Sequence, residues 1–98
     1  MSKNVVIVGT LDTKGPEIAY LRDRLRGLGL TTIVIDSGIL GEPVGIVPDI
    51  SHAEAATYAG TTIEALQNAG SRGRAVEGMR TALKRLVVKL YEEGRLQA

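Results

Sequence analysis

Ninety-eight residues, 44% apolar and 23% charged, describe one soluble globular domain or a piece of one, since domains typically run about 100–150 residues. Twelve basic against eleven acidic residues leave a net charge of +1, without the basic excess of a nucleic-acid binder, and three tyrosines are the only aromatic residues that can stack on bases. No cysteine is present, which removes disulfides, thiolate metal sites and cysteine nucleophiles together, and the one histidine, His52, cannot build a zinc cluster by itself.

Taken in chain order, the first element is the apolar, β-branched run Val5, Val6, Ile7, Val8. It is far shorter than the ~7–15 residues of a signal-peptide core or the ~20 of a membrane span, so a cytoplasmic protein with no membrane attachment is expected. A second run of this kind spans residues 32–35, and both suit strands covered on two faces, as in a parallel sheet. Between them Ile18, Leu21, Leu25 and Leu28 recur at helical spacing, Pro16 fits a first turn, and Gly27 and Gly29 mark the exit. The three elements make a βαβ unit with a right-handed crossover.

After Asp36 comes a long loop, rich in glycine and proline, that runs to Asp49; loops of such length are often functional. Ser51 and Glu54 match a capping box for a short helix with a small-residue face of Ala55, Ala56 and Ala59, ended by Gly60. Thr61 and Glu64 repeat the signal for a second short helix that ends near Gly70. From Ser71 the strongest periodicity sets Val76, Met79, Leu83, Leu86, Val87 and Leu90 on one stripe, with Arg80, Lys84, Arg85 and Lys89 largely off it. This predicts a helix of about five turns, packed on the sheet and stopped at Glu93-Gly94. The fold class expected is α/β, a Rossmann-like parallel sheet with flanking helices. It is partial, because two strands make a poor sheet; a missing stretch of chain or another copy of the protein is expected to complete it.

Three places carry candidate chemistry. The first strand ends at Gly9, and Thr10, Asp12, Thr13 and Lys14 lead into a helix whose N-terminal N–H groups and positive dipole end favour an anion. The spacing fits neither the P-loop nor the GxGxxG pattern, and Asp12 or Thr13 equally suits a plain helix cap. At the end of the second strand Asp36 stands where dinucleotide folds place a carboxylate for ribose hydroxyls, with Gly38 and Gly41 allowing close approach; an Asx-type turn is the alternative. At the start of the long helix, Ser71-Arg72-Gly73-Arg74 sets arginine beside a positive helix end, an arrangement that favours a bound anion. Asp49 and Glu42 offer no metal geometry, His52 reads as surface or mild core, and no catalytic triad can be assembled.

The run Ile7 to Gly15 with Glu17, Ile18, Leu21 and Arg22, then Asp36-Ser37-Gly38, Gly41-Glu42-Pro43, residues 48–51, and Arg72-Gly73 with Ala75 and Met79, resembles the N-terminal domain of the tomato mosaic virus resistance protein family. Members of that family are several times longer, so the resemblance implies a fragment of an ATP-binding, Rossmann-like domain that lacks a glycine-rich segment. It implies Gly9, Thr10, Asp12, Thr13 and Lys14 around ATP, with or without magnesium, Asp36 and Gly38 near the ribose or base, and Arg72 and Gly73 near the phosphates or adenine. The plant member binds a viral replication protein, which implies a protein partner. The expected function is a nucleotide-binding module, regulatory or protein-binding and dimeric, that touches neither nucleic acid nor membrane. The alternatives are an ATP-dependent ligase, kinase-like protein or hydrolase with its catalytic residues mostly elsewhere, and a purely structural protein-binding fragment.

Overall fold

A computed structural model describes residues 4–95. The elements are β1 (Asn4–Gly9), α1 (Leu11–Gly27), β2 (Thr31–Asp36), α2 (His52–Thr57), α3 (Ile63–Gln67) and α4 (Arg72–Glu92). β1 and β2 pair in parallel, from Asn4 opposite Thr31 to Gly9 opposite Asp36, so each strand extends one residue beyond its apolar run at both ends. The chain also returns to β2 after the long loop. Ile50 forms a parallel bridge with Ile35; the Asp36 N–H donates to the Ile50 carbonyl at 3.0 Å, and the Asp49 and Ile50 N–H groups donate to the Val34 carbonyl at 2.9 and 3.0 Å. The third strand that the sequence lacked is thus represented by one bridge.

Side chains alternate across the strands and build a core on each face. On the α1 side lie Ile7, Leu11, Val34 and Ile46, with Ile18 and Leu25 packed against them. On the other side Ile33, Ile35 and Ile50 meet Ala55, Ala56, Ile63 and Leu66 and the inner line of α4, Met79, Ala82, Leu86 and Leu90.

Several boundaries differ from the sequence reading, each for a physical reason. α1 starts at Leu11, so Pro16 lies inside it and not in its first turn. Leu11 is drawn wholly into the core, and Asp36 Oδ1 accepts its N–H at 3.3 Å. The N-cap residue Thr10 makes no side-chain capping bond, so neither Asp12 nor Thr13 is the cap; a carboxylate from the neighbouring strand does that work. Beside Pro16, Gly15 passes directly beneath the loop: a Cβ there would stand 1.7 Å from the Val44 carbonyl oxygen, while the Val44 N–H donates to the Leu11 carbonyl at 3.0 Å.

The short helices follow their caps. Ser51 accepts the Glu54 N–H at 3.1 Å, but α3 is capped by Thr62, whose hydroxyl accepts from Ala65, one residue later than the Thr61 signal. Ser71 caps α4 by accepting the Arg74 N–H at 3.1 Å. The inner face of α4 is narrower than its apolar stripe: Ala75 and Ala82 are buried, whereas Val76 is 52% exposed, because α4 rests chiefly on α2 and α3. Among the described residues no helix is long and apolar enough to cross a membrane.

Candidate functional site

The two longest helices begin on the same hollow. A cavity of about 970 Å³ opens between the start of α1, the loop after β2, the α3–α4 turn and the first half of α4. Thr10, Asp12 and Thr13 form one wall, Ser37, Gly38, Ile39 and Leu40 the next, Gln67, Asn68, Gly70 and Ser71 the third, and Arg72, Val76, Met79, Arg80 and Leu83 the last. One residue or more from each of the three predicted places therefore lines one cavity.

Its polar groups sit at the helix starts. Thr10 and Thr13 hydroxyls lie 3.0 Å apart, and the Thr13 and Lys14 N–H groups both turn back to the Thr10 carbonyl, at 3.2 and 2.8 Å. Among the described residues neither the Asp12 carboxylate nor the Arg72 guanidinium has a hydrogen bond or ion pair. Arg80 is held by Glu77 at 3.4 Å. The apolar share comes from Ile39, Leu40, Val76, Met79 and Leu83, so the cavity has a polar end between two helix N-termini and an oily flank along α4.

Other candidates stand elsewhere. Lys14 points outward, its Nζ 3.8 Å from Glu17, and does not line the cavity. At Gly9 a Cβ would meet Ile18 side-chain carbons at 3.0 and 3.1 Å, so this glycine lets α1 pack on β1. Gly73 is exposed on the first turn of α4, outside the lining. Asp36, expected at the ribose, is fully buried: Oδ1 accepts from Leu11 and, at 2.8 Å, from Gly38, while Oδ2 is buried with no hydrogen-bond partner. In this geometry it shapes the loop and caps α1 from behind the cavity. Gly38 and Gly41 do permit close approach, and what approaches is Asp12: added Cβ atoms would lie 3.1 Å from Asp12 Oδ1 and 2.7 Å from Asp12 Cβ respectively.

Sequence reasoning missed Ile39, Leu40, Gln67, Asn68, Val76, Arg80 and Leu83 as site residues. A signal existed for two of them, since the apolar stripe of α4 is broader than one packed face requires; Val76 and Leu83 are its surplus edge. Nothing local marks Gln67, whose Nε2 donates to the Ile39 carbonyl at 2.7 Å and ties the loop to α3. His52 is not on the surface: it is buried, with Nδ1 2.8 Å from the Gly38 carbonyl. It lines a second hollow of about 470 Å³ with Asp36, Glu42, Ser51 and Glu64. No group of three or more His, Cys, Asp or Glu among the described residues is placed to hold a metal ion.

Against known proteins, residues 3–98 match the N-terminal domain of an uncharacterised protein family, UPF0261. A UPF0261 protein of Clostridium tetani is 41% identical over 93 residues, covering 95% of this chain and 23% of that protein. One of Brucella suis is 32% identical over 95 residues, covering 97% and 22%; one of Mesorhizobium japonicum is 32% identical over 83 residues, covering 85% and 20%. The chain thus spans less than a quarter of the length of these curated relatives. No solved structure matches significantly. These matches overturn the resemblance to tomato mosaic virus resistance proteins: family and relatives alike are of the uncharacterised type, so the viral partner that the resemblance implied falls away and its ATP site lends no support.

Proposed function

The chain belongs to the UPF0261 family, as its N-terminal domain; from the geometry of the cavity between α1 and α4 we propose that it is a nucleotide-binding module that takes up ATP there with magnesium. The observation that carries this reading is the convergence of two long helix N-termini and the unpaired Arg72 on one cavity. A helix start carries the positive end of a dipole, and two of them facing one space favour a multiply charged anion. Arg72 adds a planar donor fork suited to phosphate oxygens. At about 970 Å³ the space is at the large end of small-molecule sites, and its apolar flank offers Met79, Val76 and Leu83 to a flat heterocycle.

Asp12 shapes the requirement for metal. Its unpaired carboxylate faces the polar end, where it repels phosphate unless a divalent cation lies between them; magnesium is commonly held by one or two carboxylates together with phosphate oxygens. Thr10 and Thr13 line the same wall of the cavity and offer hydroxyls as further oxygen donors. Bound nucleotide would tie the loop after β2 to α4, a change suited to a regulatory or protein-binding role.

Isothermal titration with Mg-ATP tests the reading. Saturable binding is expected, weakened about tenfold or more in Arg72→Ala, on the scale of one charge-assisted hydrogen bond, and weakened on removal of magnesium in the wild type but not in Asp12→Ala. Absence of binding at millimolar nucleotide overturns it. Release of ADP or phosphate that is lost in Asp12→Ala would favour an ATP-dependent enzyme over a module that only binds.

A further inference from the structure

The loop after β2 turns at Gly38, and that residue is held on both sides. Its N–H donates to Asp36 Oδ1 at 2.8 Å, and its carbonyl lies 2.8 Å from His52 Nδ1. A carbonyl oxygen only accepts, so Nδ1 carries the proton; in the neutral ring Nε2 is then bare, and it faces the Glu42 carboxylate at 3.8 Å. The same Nδ1 stands 3.9 Å from Asp36 Oδ2, the buried oxygen without a hydrogen-bond partner. The bond to Gly38 thus requires a proton on Nδ1 and sets the orientation of the His52 ring, although His52 lies outside the α1–α4 cavity.

Gly38 itself lines that cavity. It is wedged between two carboxylates, since a Cβ would stand 3.0 Å from Asp36 Oδ1 and 3.1 Å from Asp12 Oδ1. Only the space of a missing side chain therefore separates the Gly38 backbone from the Asp12 carboxylate, and the course of the loop at Gly38 sets how much room Asp12 has. We propose that His52 is a positioning residue of the ligand cavity: through its Nδ1–H bond to Gly38 it fixes the loop corner against which the Asp12 carboxylate is set. The effect on ligand rests on the nucleotide reading above; the effect on the Gly38 corner does not.

The test compares His52→Phe, which keeps a ring and loses the donor, with His52→Asn, whose side-chain amide can donate from the position of Nδ1. Two quantities are read: hydrogen exchange at the Gly38 amide without ligand, and Mg-ATP affinity by calorimetry. His52→Phe is expected to exchange Gly38 faster and bind about five- to tenfold more weakly, the scale of one hydrogen bond, and His52→Asn to restore both. A folded His52→Phe with unchanged Gly38 exchange overturns the proposal, as does wild-type affinity in both variants. Nitrogen NMR on the wild type decides without any variant, because the chain has a single histidine: a neutral ring protonated at Nε2 overturns it. Failure of the wild type to bind Mg-ATP overturns the nucleotide reading instead, while tautomer and Gly38 exchange still decide this one.

Discussion

Asp36 is the residue on which most local structure depends. A carboxylate in the core is costly unless hydrogen-bonded, and here one oxygen collects two N–H groups that have no other partner, the first of α1 and that of Gly38. Its charge also opposes the positive end of the α1 dipole. Asp36→Ala leaves both donors buried and unpaired, at about 1–3 kcal/mol each, so a loss of about 3 kcal/mol or more is expected in urea denaturation. Asp36→Asn keeps the Oδ1 acceptor and is expected to lose less. The sequence made Asp36 visible through its place after an apolar run, but not its role. The end of a strand is legible from neighbours in the chain, whereas the N–H that a carboxylate accepts 25 positions away in sequence is not.

At the scale of elements, α1 contains two glycines that look alike in sequence and differ in space. Gly27, at the helix end, has nothing within 4 Å of an added Cβ, while Gly15 would drive one into the Val44 carbonyl at 1.7 Å. Gly27→Ala is expected to stabilise the fold by about 0.4–1 kcal/mol through the entropy of the unfolded chain. Gly15→Ala is expected to destabilise it by about 1–3 kcal/mol or more, as overpacking does, and thermal unfolding of the pair gives opposite signs. The elements themselves were legible: β1, β2, α1 and α4 follow from period and β-branching, and the Ser51 cap acts as its spacing to Glu54 implies. What period could not give was the burial of Ala75 and Ala82 on α4, because alanine is too small to register as a core residue.

For the whole molecule, the decisive fact is a sheet open on one side. β2 is covered by the returning Ile50, but among the described residues β1 pairs only with β2, and Val8 is 41% exposed near its end. An edge of this kind invites further strands. The expected outcome is concentration-dependent self-association of this chain in sedimentation velocity, suppressed by Val8→Lys, since a lysine blunts edge pairing; a wild type that stays monomeric at high concentration counts against it. Charge is as unevenly spread as the sheet. No lysine or arginine occurs between Arg26 and Arg72, so the basic groups at the cavity come from α4 alone. That asymmetry can be read in the sequence, but the meeting of α4 with the start of α1 cannot, because it depends on the path of the loop between β2 and α2.

That loop is fastened along its course: Gly38 to Asp36 and His52, Ile39 to Gln67, Val44 to Leu11, Asp49 and Ile50 to Val34. Surface connections ordinarily drift in length among related proteins. This one is measured out by its attachments, and one extra residue between any two of them would pull the next out of reach. As lineages diverge, the number of residues between attachments is expected to hold while exposed side chains such as Leu40 and Val47 change.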